Sequence, residues 1–309
     1  MRTVSTVKND KRTYMLSLQH FVNYIYEDAQ TSTSNEERRQ QLEKWLKDKK
    51  YPDYVNTLDK MLKDPKARVL LQDGFGGDLG DIKFVFQPRL IKASTLVPTQ
   101  SEIDVDKSLT HALTTVDNIK NDFKEDIVVA DTPIVTFHGN YVIDGHHRWS
   151  EIVMVNPAGR MLCLDYDADI SPVQMLKAVQ GAIAAVLSKK DGATMPRGNT
   201  KSQNIYDSSL TVDKIKKYVE DTITDDVVKE LCLHYNMCSD KDDVVKVLVD
   251  NIIQFKVNNP PITNAQHRDD MPQPFSAGSK PGDSMTADPN DEGSALNKLK
   301  SGKFTKSVL

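Results

Sequence analysis

PIVTFHGNYVIDGHHRW, residues Pro133 to Trp149, reads as a strand, a tight turn at Gly139-Asn140, a second strand and then a helix opened by Asp144-Gly145. Downstream, Met161 to Tyr166 is another strand-like run. Upstream lie three more: Phe84 to Phe86, Leu90 to Ile91 and Ile127 to Val129. Between the last two, Ser108 to Phe123 carries Leu109, Leu113, Val116 and Ile119 on one helical face. Strands alternating with helices predict a small mixed α/β domain, and its bounds are set at 67–170.

Helical texture surrounds this centre. Residues 1–66 place Tyr14, Leu16, Phe21, Tyr24 and Ile25 at helical spacings, and Thr33-Ser34-Asn35-Glu36-Glu37 looks like a capped start for a helix bearing Leu42, Trp45 and Leu46. Residues 171–257 form a second helical region, which Ser171-Pro172 opens with proline at the first helical position. Its helices are Val173 to Leu187, Val212 to Val219, Asp225 to Leu233 and Asp242 to Phe255, with Ser188 to Asn204 as a polar linker. Residues 258–309 are rich in Pro, Gly, Ser, Asp and Asn, and the expectation is a disordered tail, unless a partner holds it.

Composition narrows the function. The 309 residues have room for one large domain or two ordinary ones. With 39% hydrophobic and 27% charged residues the chain reads as soluble, and its apolar runs are too short to cross a bilayer. No apolar stretch backs the basic residues of MRTVSTVKNDKRTYM, so a cytoplasmic rather than secreted protein is expected. Three cysteines, at 163, 232 and 238, make neither a disulfide framework nor a zinc cluster. A net charge of -4 gives no support to a basic nucleic-acid coat.

The chemistry gathers at Asp144-Gly145-His146-His147-Arg148. The first N–H groups of a helix lack intrahelical partners and lie at the positive end of its dipole. Gly145 lets a ligand come close to those amides, while His147 and Arg148 add donors, the latter able to grip a phosphate through two hydrogen bonds. Asp144 is placed to cap the helix or to accept from a substrate hydroxyl. The glycine-rich Asp73 to Gly80 lacks the Lys-Ser/Thr of a P-loop and reads as a flexible loop.

From Phe86 to Tyr166 the chain resembles the ParB/sulfiredoxin superfamily. Leu90 to Glu102 (LIKASTLVPTQSE) is similar to its first box, a strand, an x-L-x-P-x-Q turn and an acid; Ile143 to Trp149 is similar to its phosphate-binding strand–loop–helix. The resemblance implies that residues 145–148 cradle the phosphates of ATP or another nucleotide, with Mg²⁺ offsetting charge. It implies Thr99 and Gln100 as further binding residues, and Glu102, Asp144 and His147 as catalytic ones. Sulfiredoxins carry a catalytic Cys where this chain has His146, so sulfinic-acid reduction is not expected. Partition proteins carry Gly-Glu-Arg-Arg and a DNA-reading helix-turn-helix, neither of which is matched. The DGHHR form is similar to the free-serine-kinase-like and phage-encoded branches.

The expected function is therefore an ATP-dependent phosphotransferase or ATPase with Glu102 as base. The alternative is a bacteriophage virion or DNA-associated protein that keeps the fold without turnover, located in the host cytoplasm or the virion. A ParB-like nuclease stands third, since no carboxylates beyond Asp144 and Glu102 cluster for a metal. A homo-oligomer or larger assembly through the helical ends and the tail is expected, and no membrane partner.

Overall fold

The computed structural model describes residues 85–123, 127–128, 134–176, 178–179, 194–196, 203–235, 240–267 and 284–286. The readings made for residues 1–66, the glycine-rich loop 73–80 and most of the tail lie outside the described residues.

A mixed sheet forms the centre, in the order β1-β6-β4-β5-β2. Its strands are β1 (Val85–Lys92), β2 (Val97–Pro98), β3 (Ile127–Val128), β4 (Ile134–Phe137), β5 (Tyr141–Asp144) and β6 (Arg160–Asp167). β6 is the axis: β1 runs antiparallel along one edge, while β3 and β4 follow each other along the opposite edge, both parallel to it. The α/β character expected from the sequence holds. The two runs Phe84 to Phe86 and Leu90 to Ile91 are, over the described residues, one strand. Pro88 lies within β1, which ends the sheet order, where proline is tolerated.

The β4–β5 hairpin turns one residue earlier than the sequence suggests. His138 (φ 56°) and Gly139 (φ 61°) both take positive φ, and Asn140 N–H closes the turn on Phe137 O at 3.1 Å. Asp165 of β6 braces it from below. Fully buried, this carboxylate accepts from Gly139 N–H and Thr136 Oγ1, both at 2.8 Å, and from Arg89 Nη1 at 2.9 Å. Burial of a charge is tolerated here because each oxygen is bonded. The same burial, with Asp165 nearby, pushes the Cys163 thiol well up.

The helices are α1 (Val105–Thr114), the single turn α2 (Val116–Asn118), α3 (His146–Val155), α4 (Val212–Thr222), α5 (Asp225–Tyr235) and α6 (Lys241–Asn258). The single helix expected over Ser108 to Phe123 starts earlier and is interrupted. Asp104 caps α1 by accepting from Lys107 N–H, Thr115 turns extended (φ -125°), and Ile119–Phe123 continues as a wide π turn. The later helix starts are capped by side chains. Thr211 accepts from Lys214 N–H, Asp240 from Asp243 N–H, and Ser171 exchanges reciprocal bonds with Gln174 ahead of helical residues 172–176.

The helical region 171–257 is no separate body. Leu109, Trp149, Ile152, Met161, Cys163, Val219, Leu231, Leu248, Ile252 and Phe255 belong to one buried cluster spanning sheet and helices. Trp149 sits in it with its ring 5.1 Å from Phe255 and its Nε1–H donated to Ala93 O at 2.8 Å. Leu162, Leu164 and Tyr166, on the alternate face of β6, are also buried.

The tail starts later than 258. Asn259 is 2% exposed, and its amide donates to Ser94 O (3.0 Å) and Leu96 O (2.8 Å), while Tyr206 Oη donates to Asn259 O (2.7 Å). Beyond it, Ile262 N–H bonds Pro98 O and Gln266 N–H bonds Thr99 O. Residues 259–267 thus form a strap against the outer edge of β2. Composition misassigns them because their hold comes from backbone groups and amide side chains rather than apolar bulk. Two further stretches, β7 (Thr194–Pro196) in the expected linker and β8 (Ser284–Thr286) in the expected tail, pair antiparallel.

Candidate functional site

β2 and β5 are parallel, with Val97 opposite Tyr141 and Pro98 opposite Val142. Parallel strands deliver their following loops to the same end of the sheet, where open α/β sheets bind ligands. The register therefore brings loop 99–104 beside the 144–148 turn, where Thr99 meets His146 next to Asp144, Gly145, His147 and Arg148, while Gln100 sits further along the loop. Glu102 rides on the same loop.

Gly145 is the N-cap of α3 and takes φ 89°. Arg148 folds back over it. A Cβ at position 145 would lie 2.9 Å from Arg148 Nη2 and 3.2 Å from Ile134 Cγ1. The guanidinium also stands 3.9 Å from Asp144 Oδ2 at the loose end of ion-pair range, with both side chains about a third exposed (37% and 31%). So the N-terminal amides of α3, a cation and a carboxylate share one small, partly solvated surface.

The two histidines face the neighbouring loop, and their proton positions follow from their partners. Thr99 Oγ1 donates its proton to Val142 O at 2.7 Å, so toward His146 Nε2, 3.4 Å away, it acts as acceptor and Nε2 carries the hydrogen. Asp104 N–H donates to His147 Nε2 at 3.3 Å, which requires that nitrogen to be unprotonated. The adjacent rings thus grip the two ends of loop 99–104. His146 is buried, 4% exposed, a positioning group rather than a phosphate donor; the Nε2 of His147 is likewise spent on Asp104.

Thr99 and Gln100 are buried (0% and 3%). Gln100 Nε2 donates to Glu102 O, tightening the turn that presents the acid. Glu102 meets neither Asp144 nor Arg148 among the described residues. Its Oε1 lies 2.9 Å from His267 Nε2, and its Oε2 is shielded from solvent with no hydrogen-bond partner. Sequence reasoning missed Asp104 and His267. Asp104 carried a readable signal, an acid three residues before Lys107 at a helix start. His267 carried none, standing in tail-like composition.

Among the described residues no group of three His, Cys, Asp or Glu side chains is arranged to hold a metal, and no helix is long and apolar enough to cross a membrane. Comparison with protein-family models, with curated proteins and with solved structures returns no match.

Proposed function

We propose that the 144–148 turn binds the phosphates of ATP or a related nucleotide, and that the protein is a phosphotransferase or ATPase using Glu102 as base. The observation that carries this reading is Gly145: its left-handed backbone leaves no Cβ at the start of α3, and Arg148 is folded against it there. A phosphate entering there meets the helix-start amides and the Arg148 guanidinium beside them.

The chain's own groups divide the work. The α3 amides and Arg148 bind and orient the phosphates. Asp144 holds Arg148 in reach before the ligand arrives. His146 and His147 fix loop 99–104 against α3, so that Glu102 stays at a set distance from the bound phosphate. Glu102 is the acid on that loop that takes the proton of the acceptor hydroxyl or water. Asp144 is the carboxylate that would hold Mg²⁺ beside the phosphates. When bound it supplies charge neutralisation of the phosphate oxygens.

Calorimetry with ATP and Mg²⁺ tests the cradle. Binding at millimolar affinity or tighter is expected, weakened by Arg148→Ala by about 1.5–3 kcal/mol, the scale of a charge-assisted hydrogen bond. No binding to the wild type overturns the reading. Glu102→Gln is expected to lower turnover by roughly 10²–10⁴ with nucleotide affinity unchanged, the usual range for loss of a general base.

One observation favours binding without turnover, as in a structural protein of a phage particle: the carboxylate of Glu102 is already engaged by His267. Nucleotide binding with no phosphate release against a panel of hydroxyl acceptors selects that reading.

A further inference from the structure

A polar seam ties α1 to α3, and it begins at the site. Its first rung is Asp104 N–H on His147 Nε2 at 3.3 Å. One turn on, Ser108 Oγ and Ser150 Oγ lie 2.8 Å apart. Beyond them His111 Nδ1 stands 3.5 Å from Glu151 Oε1. The rungs advance in the same direction along both helices, so α1 and α3 run side by side with their starts together. The outer rung is partly solvated, His111 being 64% exposed, and such a contact is weak.

The middle rung is dry. Ser108 and Ser150 are fully buried, on helices that otherwise supply Leu109, Ala112, Trp149 and Ile152 to the core. Ser108 Oγ also reaches Asp104 O at 2.9 Å, and Ser150 Oγ reaches His147 O at 3.0 Å. Each hydroxyl has one hydrogen, so at 2.8 Å one of the pair donates to the other. Asp104 O keeps Ser108 N–H at 3.0 Å in either case. The carbonyls within reach of the pair belong to the same two residues that make the first rung. Asp104, Ser108, Ser150 and His147 therefore close a ring of polar contacts across the two helix starts.

Apolar packing alone fixes this register poorly. Val105, Leu109 and Leu113 are buried at intervals of four, so α1 moved by one turn offers a similar apolar row. The hydroxyl contact has no such equivalent, because the move puts Ala112 where Ser108 stands. The other holds on the loop lead elsewhere. Asn204 accepts from Ile103 N–H at 3.0 Å and donates to Ser101 O at 3.3 Å, while Ser101 N–H bonds Gln266 O. Those bonds tie the loop to residues 203–206 and to the strap, not to the helix that starts at the 144–148 turn.

We infer that Ser108 and Ser150 are positioning residues of the site: their contact sets the register of α1 against α3 and so keeps Asp104 N–H on His147. The consequence for ligand binding rests on the reading of the 144–148 turn as a phosphate cradle.

The experiment uses the full chain as wild type, Ser108→Ala, Ser150→Ala and the double variant. Four readouts are taken: the urea midpoint, amide exchange at Asp104 and at Ile252 in α6, the nitrogen-15 shift of His147 Nε2, and the Kd for ATP. The double variant is expected to keep the wild-type urea midpoint, since removing both hydroxyls leaves no buried polar atom without a partner. Exchange at Asp104 should rise by roughly tenfold or more while Ile252 is unchanged, as a local opening requires. The His147 Nε2 shift should move, and the Kd for ATP should rise by roughly threefold or more as the site loosens. Each single variant should show most of the double variant's effect, because either substitution removes the contact. An Asp104 amide that exchanges at the wild-type rate in the double variant overturns the inference. Exchange that rises evenly at Asp104 and Ile252 with a lower urea midpoint also overturns it, leaving the pair as ordinary core stability. Strictly additive single effects overturn the pair as a unit. A local rise with unchanged ATP affinity overturns the link to the site. A local rise in a protein whose wild type binds no ATP keeps the seam and removes the nucleotide reading instead.

Discussion

At the scale of single residues, Gly145 is the position with least freedom to change. A side chain there must adopt φ near 89°, at a cost of about 1–2 kcal/mol for a left-handed non-glycine residue, and its Cβ would press on Arg148 Nη2. Gly145→Ala is expected to lower the urea midpoint without changing the slope, and to weaken ATP binding because Arg148 is pushed aside. Gly145→Asn, more tolerant of that backbone, should regain part of the stability and none of the binding; equal stability of all three proteins would show that the turn relaxes. The need for glycine here was legible in the sequence, since a strand and a helix meet within two residues. The orientation of His146 and His147 was not. Which ring nitrogen carries the proton depends on Thr99 and Asp104, more than forty positions away in the chain.

Among the elements, the helices were the most legible part because their signals are local: Thr211, Asp240 and Ser171 each announce a start within three residues of the group they cap. The strap was illegible because its partners are distant. Tyr206 offers a handle on it. Its hydroxyl donates to Asn259 O, and burial pushes its pKa far above the ordinary 10.0. The sign follows from the raised folded value: the contribution is full below about pH 10, and is lost as pH rises further, because the unfolded chain then releases a proton that the folded one keeps. Tyr206→Phe is expected to cost about 0.5–1.5 kcal/mol at neutral pH, the net worth of one hydrogen bond. It should also flatten the fall of stability above pH 10, where a single such group contributes up to about 1.4 kcal/mol per pH unit. Urea unfolding at pH 8 and pH 11 reads both effects, and parallel pH slopes for the two proteins would exclude Tyr206 as the source.

For the molecule as a whole, the decisive comparison is between chains ending at 258 and at 267. The nine residues between them supply Asn259 with its two buried bonds, the acceptor for Tyr206, the backbone pairing with β2 and the contact with Glu102. The chain ending at 258 is expected to melt at least about 4 °C below the one ending at 267, since each kcal/mol moves Tm by roughly 2–4 °C in a chain of this size class. Coincident melting curves would return residues 259–267 to the tail. The α/β class and the 144–148 turn were legible at this scale because β4, β5 and the start of α3 are contiguous in sequence. The closure of the sheet by a segment from beyond α6 was not, since no local pattern records which distant edge a short polar stretch will meet.

The pairing of Ser101 with Gln266 joins positions 165 residues apart. During synthesis β2, β5 and the start of α3 emerge well before α6, yet the outer edge of β2 waits for the strap. Long-range closure of this kind comes late in folding. A nascent or prematurely terminated chain thus carries the 144–148 turn beside a loop whose Ser101 and Glu102 have not yet met Gln266 and His267. The surroundings of the turn are complete only once translation has passed His267, so the last stretch of chain to be made is the one that closes this end of the sheet.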